Sequence, residues 1–94
     1  MEILTGNVNE EKHVPFIEEL KDGYRVTIGK PAIHPMTEVH YVEFIELYVN
    51  DVLVAKKEFN PGDQPIAEFK VAKGKEVFAR EFCNLHGLWQ GELI

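Results

Sequence analysis

The chain holds one cysteine and four histidines. The cysteine lies three positions before a histidine, in Cys83-Asn84-Leu85-His86-Gly87. A thiolate and an imidazole at that spacing can reach one metal ion when the backbone turns, and Gly87 permits a sharp turn. Alone the pair is a weak signal, because a lone buried cysteine is more often an inert small hydrophobe. The other histidines strengthen it. His13 precedes Val14-Pro15, and His34 and His40 flank Pro35-Met36-Thr37-Glu38-Val39. Taken singly, each is more often a surface or loop residue than a ligand. Taken together, every imidazole and the sole thiol fall at predicted junctions between loops and strands, where one end of a β-sandwich gathers its loops.

Four imidazoles and a thiolate exceed what structural zinc takes, since that ion is nearly always four-coordinate. Five ligands leave one position open in an octahedral set. Mixed nitrogen and sulfur donors suit iron, copper or zinc by softness. Five of them with an open position point to iron that binds a small molecule. The six-residue separation of His34 and His40 does not favour one helical face, so the two must converge through a loop.

The elements that would carry these residues are strands. Phe16–Lys21 and Tyr24–Gly29 are joined by Asp22-Gly23, a hairpin signal of type I′. Tyr24, Val26 and Ile28 alternate with Arg25 and Thr27, as in a half-buried strand. His40–Val49 is rich in β-branched and aromatic residues and reads as a central strand, turned at Asn50-Asp51 into Val52–Phe59. Ile66–Val71, Glu76–Phe82 and Leu88–Leu93 complete the set, and residues 1–12 read as an irregular arm. Pro15 excludes an ordinary central strand at that point. No stretch has helical periodicity. The expectation is an all-β, immunoglobulin-like antiparallel β-sandwich of about seven strands, one domain spanning residues 1–94.

Composition narrows the function. A net charge of −6 with scattered Lys and Arg argues against nucleic acid, which needs a basic face. No apolar run approaches the ~20 residues of a transmembrane helix, and the N-terminus lacks the pattern of a signal peptide. One cysteine gives no internal disulfide. These features together lead to the expectation of a cytoplasmic protein without a membrane partner.

Three segments carry a family resemblance. Glu11-Lys12-His13-Val14-Pro15, His34-Pro35-Met36-Thr37-Glu38-Val39-His40-Tyr41 and Cys83-Asn84-Leu85-His86-Gly87-Leu88-Trp89 together resemble the superoxide reductases, which comprise neelaredoxin and the C-terminal domain of desulfoferrodoxin. The Pro61-Gly62-Asp63 loop looks similar too. The likeness runs from about Glu10 to Trp89. It implies one mononuclear non-haem iron per chain, with His13, His34, His40 and His86 as equatorial ligands and Cys83 as the axial thiolate. It implies an immunoglobulin-like fold and one-electron reduction of superoxide to hydrogen peroxide. It further assigns Lys12 to attracting superoxide and aiding its protonation through water, and Glu11 to the sixth position of the oxidised iron, with Glu10 as a neighbouring competitor.

The implied electron donor is rubredoxin. The backbone N–H groups of Leu85 and His86 are candidates to hydrogen-bond the sulfur, whereas Tyr41, Trp89 and Met36 read as ordinary packing. The sequence also departs from the family. One cysteine cannot build the additional cysteine-ligated iron centre of two-domain members. The chain is compact, which leaves a homodimer or homotetramer open. The alternative reading is a non-catalytic metal-binding or electron-transfer sandwich.

Overall fold

In the computed structural model, which describes residues 2–93, alternating apolar and polar residues fold with the two-residue period of strands. The described residues form β1 (Ile3–Leu4), β2 (Pro15–Leu20), β3 (Gly23–Ile28), β4 (Val42–Val49), β5 (Val52–Glu58), β6 (Ile66–Lys70), β7 (Val77–Cys83) and β8 (Gly87–Glu92). One sheet has the order β1-β8-β7-β4-β5 and the other the order β2-β3-β6. The all-β sandwich expected from the sequence is therefore present.

The sheets bury their facing side chains against each other. Ile17, Val26, Ile28 and Ala67 from the small sheet meet Ile45, Leu47, Val49 and Ala79 from the large one. Each of the larger aliphatic side chains contributes about 1.5–3 kcal/mol by leaving water. The outward face of the large sheet is laddered instead. Phe44 stacks on Phe82 and Tyr48 on Phe78, with Arg80 over both members of the second pair.

Three local expectations are corrected. The N-terminal arm is not wholly irregular, because Ile3 and Leu4 pair in parallel with Leu88 and Trp89. His40 precedes rather than opens its strand, which begins at Val42. The first hairpin turns at Lys21-Asp22, with Leu20 opposite Gly23, and neither turn residue has positive φ. The type I′ geometry appears at Asn50-Asp51, with φ of 51° and 66°. Gly23 serves a different need, since a Cβ there would lie 1.9 Å from the carbonyl oxygen of Phe69 on β6.

The fold positions the candidate residues through its connections. Pro15 opens β2 at a sheet edge, where a missing N–H is tolerated, and His13 sits just before it. Gly29 ends β3 with φ of 111° and lets the chain fold back, so that the N–H of His34 donates to the carbonyl of Ile28 at 3.1 Å. A Cβ at Gly29 would stand 2.4 Å from the His34 nitrogen. Gly62 has a similar φ of 94° but nothing within 4 Å of a built Cβ. Gly29→Ala should therefore destabilise the protein by well over 1 kcal/mol and Gly62→Ala by about 1 kcal/mol, read from urea-unfolding midpoints. Equal losses would show that the His34 connection does not depend on the close approach at Gly29.

Candidate metal centre

The four imidazoles gather at one end of the sandwich, from the connection before β2 (His13), the middle and the far end of the β3–β4 connection (His34 and His40) and the β7–β8 turn (His86). Their ring centroids form a near-square. The sides are 4.8 Å (His13–His34), 4.9 Å (His34–His40), 5.0 Å (His40–His86) and 4.9 Å (His86–His13). The diagonal from His13 to His40 is 6.4 Å. Adjacent rings are steeply inclined, by 71° to 76°. Half of the 6.4 Å diagonal matches a metal–nitrogen bond of about 2.1 Å plus the roughly 1.1 Å from a ring nitrogen to its ring centre.

Hydrogen bonds set which nitrogen two of the rings offer. Nδ1 of His13 lies 2.9 Å from Oε1 of Glu11, and Nδ1 of His34 lies 2.7 Å from the carbonyl oxygen of Pro35. Carboxylate and carbonyl oxygens accept, so both Nδ1 atoms carry the proton and both Nε2 atoms keep a free lone pair. Nε2 of His13, His34 and His40 is buried without a hydrogen-bond partner among the described residues. His86, the exposed corner, turns Nδ1 towards Sγ of Cys83 at 3.8 Å. Donor atoms of His13, His40, Cys83 and His86 all lie within 4.8 Å of one another. His34 stands outside that tightest group, and its ring fills the remaining corner of the square.

Two of the rings, His34 and His40, are shifted towards the neutral form that a ligand needs. Burial pushes the His34 imidazole down to about 4, against its bond to Pro35 and helped by the nearby His13, His40 and Lys12. Burial also lowers His40, with further contributions from His86, His13 and Lys12. Lys12 is thus within electrostatic reach of two corners of the square. Burial raises the thiol of Cys83, while backbone hydrogen bonds from Leu85 and His86 oppose that shift. Those are the two N–H groups that the sequence marked for the sulfur.

Known proteins resemble this chain over nearly all of its length. The sequence profile of the desulfoferrodoxin family matches residues 5–92. The chain belongs to the superoxide reductase family. A desulfoferrodoxin of Nitratidesulfovibrio vulgaris is 52% identical over 88 residues, covering 94% of this chain and 68% of its relative. A superoxide reductase of Pyrococcus abyssi is 36% identical over 107 residues, covering 97% of this chain and 93% of the other. The structure of a superoxide reductase (neelaredoxin) from Archaeoglobus fulgidus in the reduced form superposes with a TM-score of 0.78. It is 32% identical and covers 96% of this chain and 94% of that one. Superoxide reductases are oxidoreductases that act on superoxide, and this chain shares their fold.

In this superoxide reductase-family chain, all five predicted ligands converge and Lys12 and Glu11 lie beside them. Glu11 is bonded to the outer nitrogen of His13. Three further residues at the site were given no functional role from sequence. Trp89, expected to be ordinary packing, stacks on His13 at 5.0 Å and 16° and donates from Nε1 to the carbonyl of His86. Asn84 clamps two connections: its Oδ1 accepts from the N–H of Tyr41 at 2.9 Å and its Nδ2 donates to the carbonyl of Val39 at 3.0 Å. An amide next to a candidate ligand was its only sequence signal, since one side chain that both accepts and donates can join two backbones. Glu81 is fully buried on β7, two residues before Cys83, and neither carboxyl oxygen has a hydrogen-bond partner among the described residues.

Burial, with a smaller contribution from Glu11, raises the Glu81 carboxyl to about 9. The folded chain then keeps this proton over a range where the unfolded chain has released it. Stability therefore falls as pH rises through that range. The metal-free protein should lose about 2–3 kcal/mol of unfolding free energy between about pH 6.5 and about pH 8.5, and Glu81→Gln should remove that slope. Parallel pH profiles for the two proteins in urea denaturation would refute the assignment.

Proposed function

We propose that the protein is a superoxide reductase: superoxide takes up one electron and two protons and leaves as hydrogen peroxide, with no oxygen released. The observation that carries this reading is the square of imidazoles, three with unpartnered buried Nε2 atoms, beside the only thiol in the chain. His13, His34 and His40 would hold one iron through Nε2, His86 through Nδ1, and Cys83 through its sulfur. When bound, iron supplies the electron and a free position that draws an oxygen anion, and the thiolate donor favours its oxidation.

The remaining work falls to the chain. The Leu85 and His86 N–H groups stabilise Cys83 as a thiolate once a cation displaces its proton. The overall charge of −6 opposes an incoming anion, so attraction must be local. Lys12, within reach of His34 and His40, supplies that local positive field. Its ammonium would also pass a proton through water to the reduced oxygen species. Asn84 and Trp89 keep the β7–β8 turn registered against His40 and His13, which limits water entry from those sides. The electron comes from a small one-electron carrier protein, rubredoxin by family likeness. The same likeness extends the reading to a homo-oligomer in the cytoplasm. No described helix is long and apolar enough to cross a membrane.

The test uses iron-loaded protein. The oxidised form should show a visible sulfur-to-iron charge-transfer band that Cys83→Ser abolishes. On rapid mixing, the reduced form should be oxidised by superoxide, and Lys12→Ala should slow that reaction about tenfold at low salt. An unchanged rate would remove Lys12 from the mechanism. A colourless protein that prefers zinc would favour a metal that only braces the loops.

A further inference from the structure

The family likeness places Glu11 in the open position of an oxidised centre, but its carboxylate is engaged elsewhere. Oε1 of Glu11 lies 2.9 Å from Nδ1 of His13, on the outer side of the ring, while Nε2 of the same ring is buried and unpartnered. The geometry points to Glu11 as a positioning residue, which fixes the tautomer and orientation of His13 so that its Nε2 lone pair faces the centre. This inference rests on the metal-centre reading above.

A neutral imidazole carries one proton and can hold it on either nitrogen. A proton on Nε2 would block that corner of the square. An acceptor at Nδ1 removes the ambiguity, and a carboxylate does so most strongly, because it also makes the ring a better donor. His34 has only the carbonyl of Pro35 in the equivalent place. Glu11 is itself held in position. Its N–H donates to the carbonyl of Asn7 at 2.8 Å, and its own carbonyl accepts from the N–H of Val14 at 3.2 Å, just beyond His13. Trp89 covers the face of the same ring, so the imidazole is fixed in plane by the carboxylate and out of plane by the indole. One carboxylate cannot serve Nδ1 and the open position together. Occupation of the open position by Glu11 would therefore release His13.

Zinc is the probe, because it does not change oxidation state and its binding cannot report a ligand that arrives on oxidation. Glu11→Ala should weaken zinc binding by about 10–100-fold in chelator competition. In metal-free protein, ¹⁵N NMR of the His13 ring should show Nδ1–H in the wild type and a mixture of tautomers in Glu11→Ala. Glu11→Gln keeps an accepting oxygen and should restore most of both readouts. Wild-type zinc affinity or an unchanged tautomer in Glu11→Ala would overturn the assignment. His13→Ala and Cys83→Ser separate the two levels of the argument. If these weaken zinc binding and Glu11→Ala does not, only the role of Glu11 falls. If neither weakens it, the metal centre falls and the role of Glu11 with it.

Discussion

The arrangement depends on three imidazole nitrogens that have been taken out of water and have no partner among the described residues. A buried acceptor without a hydrogen bond costs about 1–3 kcal/mol, and here Nε2 of His13, His34 and His40 bear that cost together. No apolar packing requires it. The rings are also packed at 4.8–5.0 Å, which brings their lone pairs towards one another. A fold tolerates such a cluster when something else is over-determined, and here the surroundings are: Gly29 closes the return to His34, Asn84 ties His40 to the β7–β8 turn, and Glu11 and Trp89 fix His13. The sandwich holds the donors in place before any ligand arrives. A cation entering the square would then satisfy all three orphaned nitrogens at once.

The electrostatics follow from the same burial. The interior disfavours every charge, so His34 and His40 stay neutral, the Cys83 thiol is raised and Glu81 keeps its proton. Two of these effects prepare ligands and two work against anions. The opposition is partial, because the N–H groups of Leu85 and His86 point at the sulfur and favour its ionised form. A positive ion reverses the logic of such a site, since a coordinating thiol is deprotonated outright. The fold thus makes the thiolate depend on the cation rather than maintaining it alone.

How much of this is legible in the sequence differs by kind of residue. His13, His34, His40, Cys83 and His86 are legible because residue type limits what they can do, and because no histidine is left over. The strands are legible from alternation, to within a residue or two at most ends. The β1 pairing is not, since two apolar residues in a polar arm carry no period and gain their partner only when β8 is present. Turn chemistry misleads at Asp22-Gly23, where Gly23 answers a close approach to Phe69 rather than a demand for positive φ. Trp89 and Asn84 are visible as residues but not as roles. An indole reads as core until a histidine is found under it, and an asparagine reads as a turn former until a second backbone lies within its reach.

Register is the least visible constraint, and the site could not exist without it. Along β7 side chains alternate, and Ala79, Glu81 and Cys83 point inwards. A slip of one residue would turn the sulfur outwards and bring Phe82 in. The pairing of β4 with β7 holds Phe44 opposite Phe82, yet Cys83 faces Val42 and not Glu43, because the register shifts between Val42 and Phe44. Without that bulge a carboxylate would stand directly opposite the thiol, and its charge already raises the thiol from where it is. The bulge carries Glu43 past that position, and its carbonyl continues the pairing towards β5 by accepting from the N–H of Phe59 at 2.9 Å. Such extra residues are over-represented beside functional sites. A single residue of β4 without a partner on β7 therefore gives the sulfur an apolar neighbour.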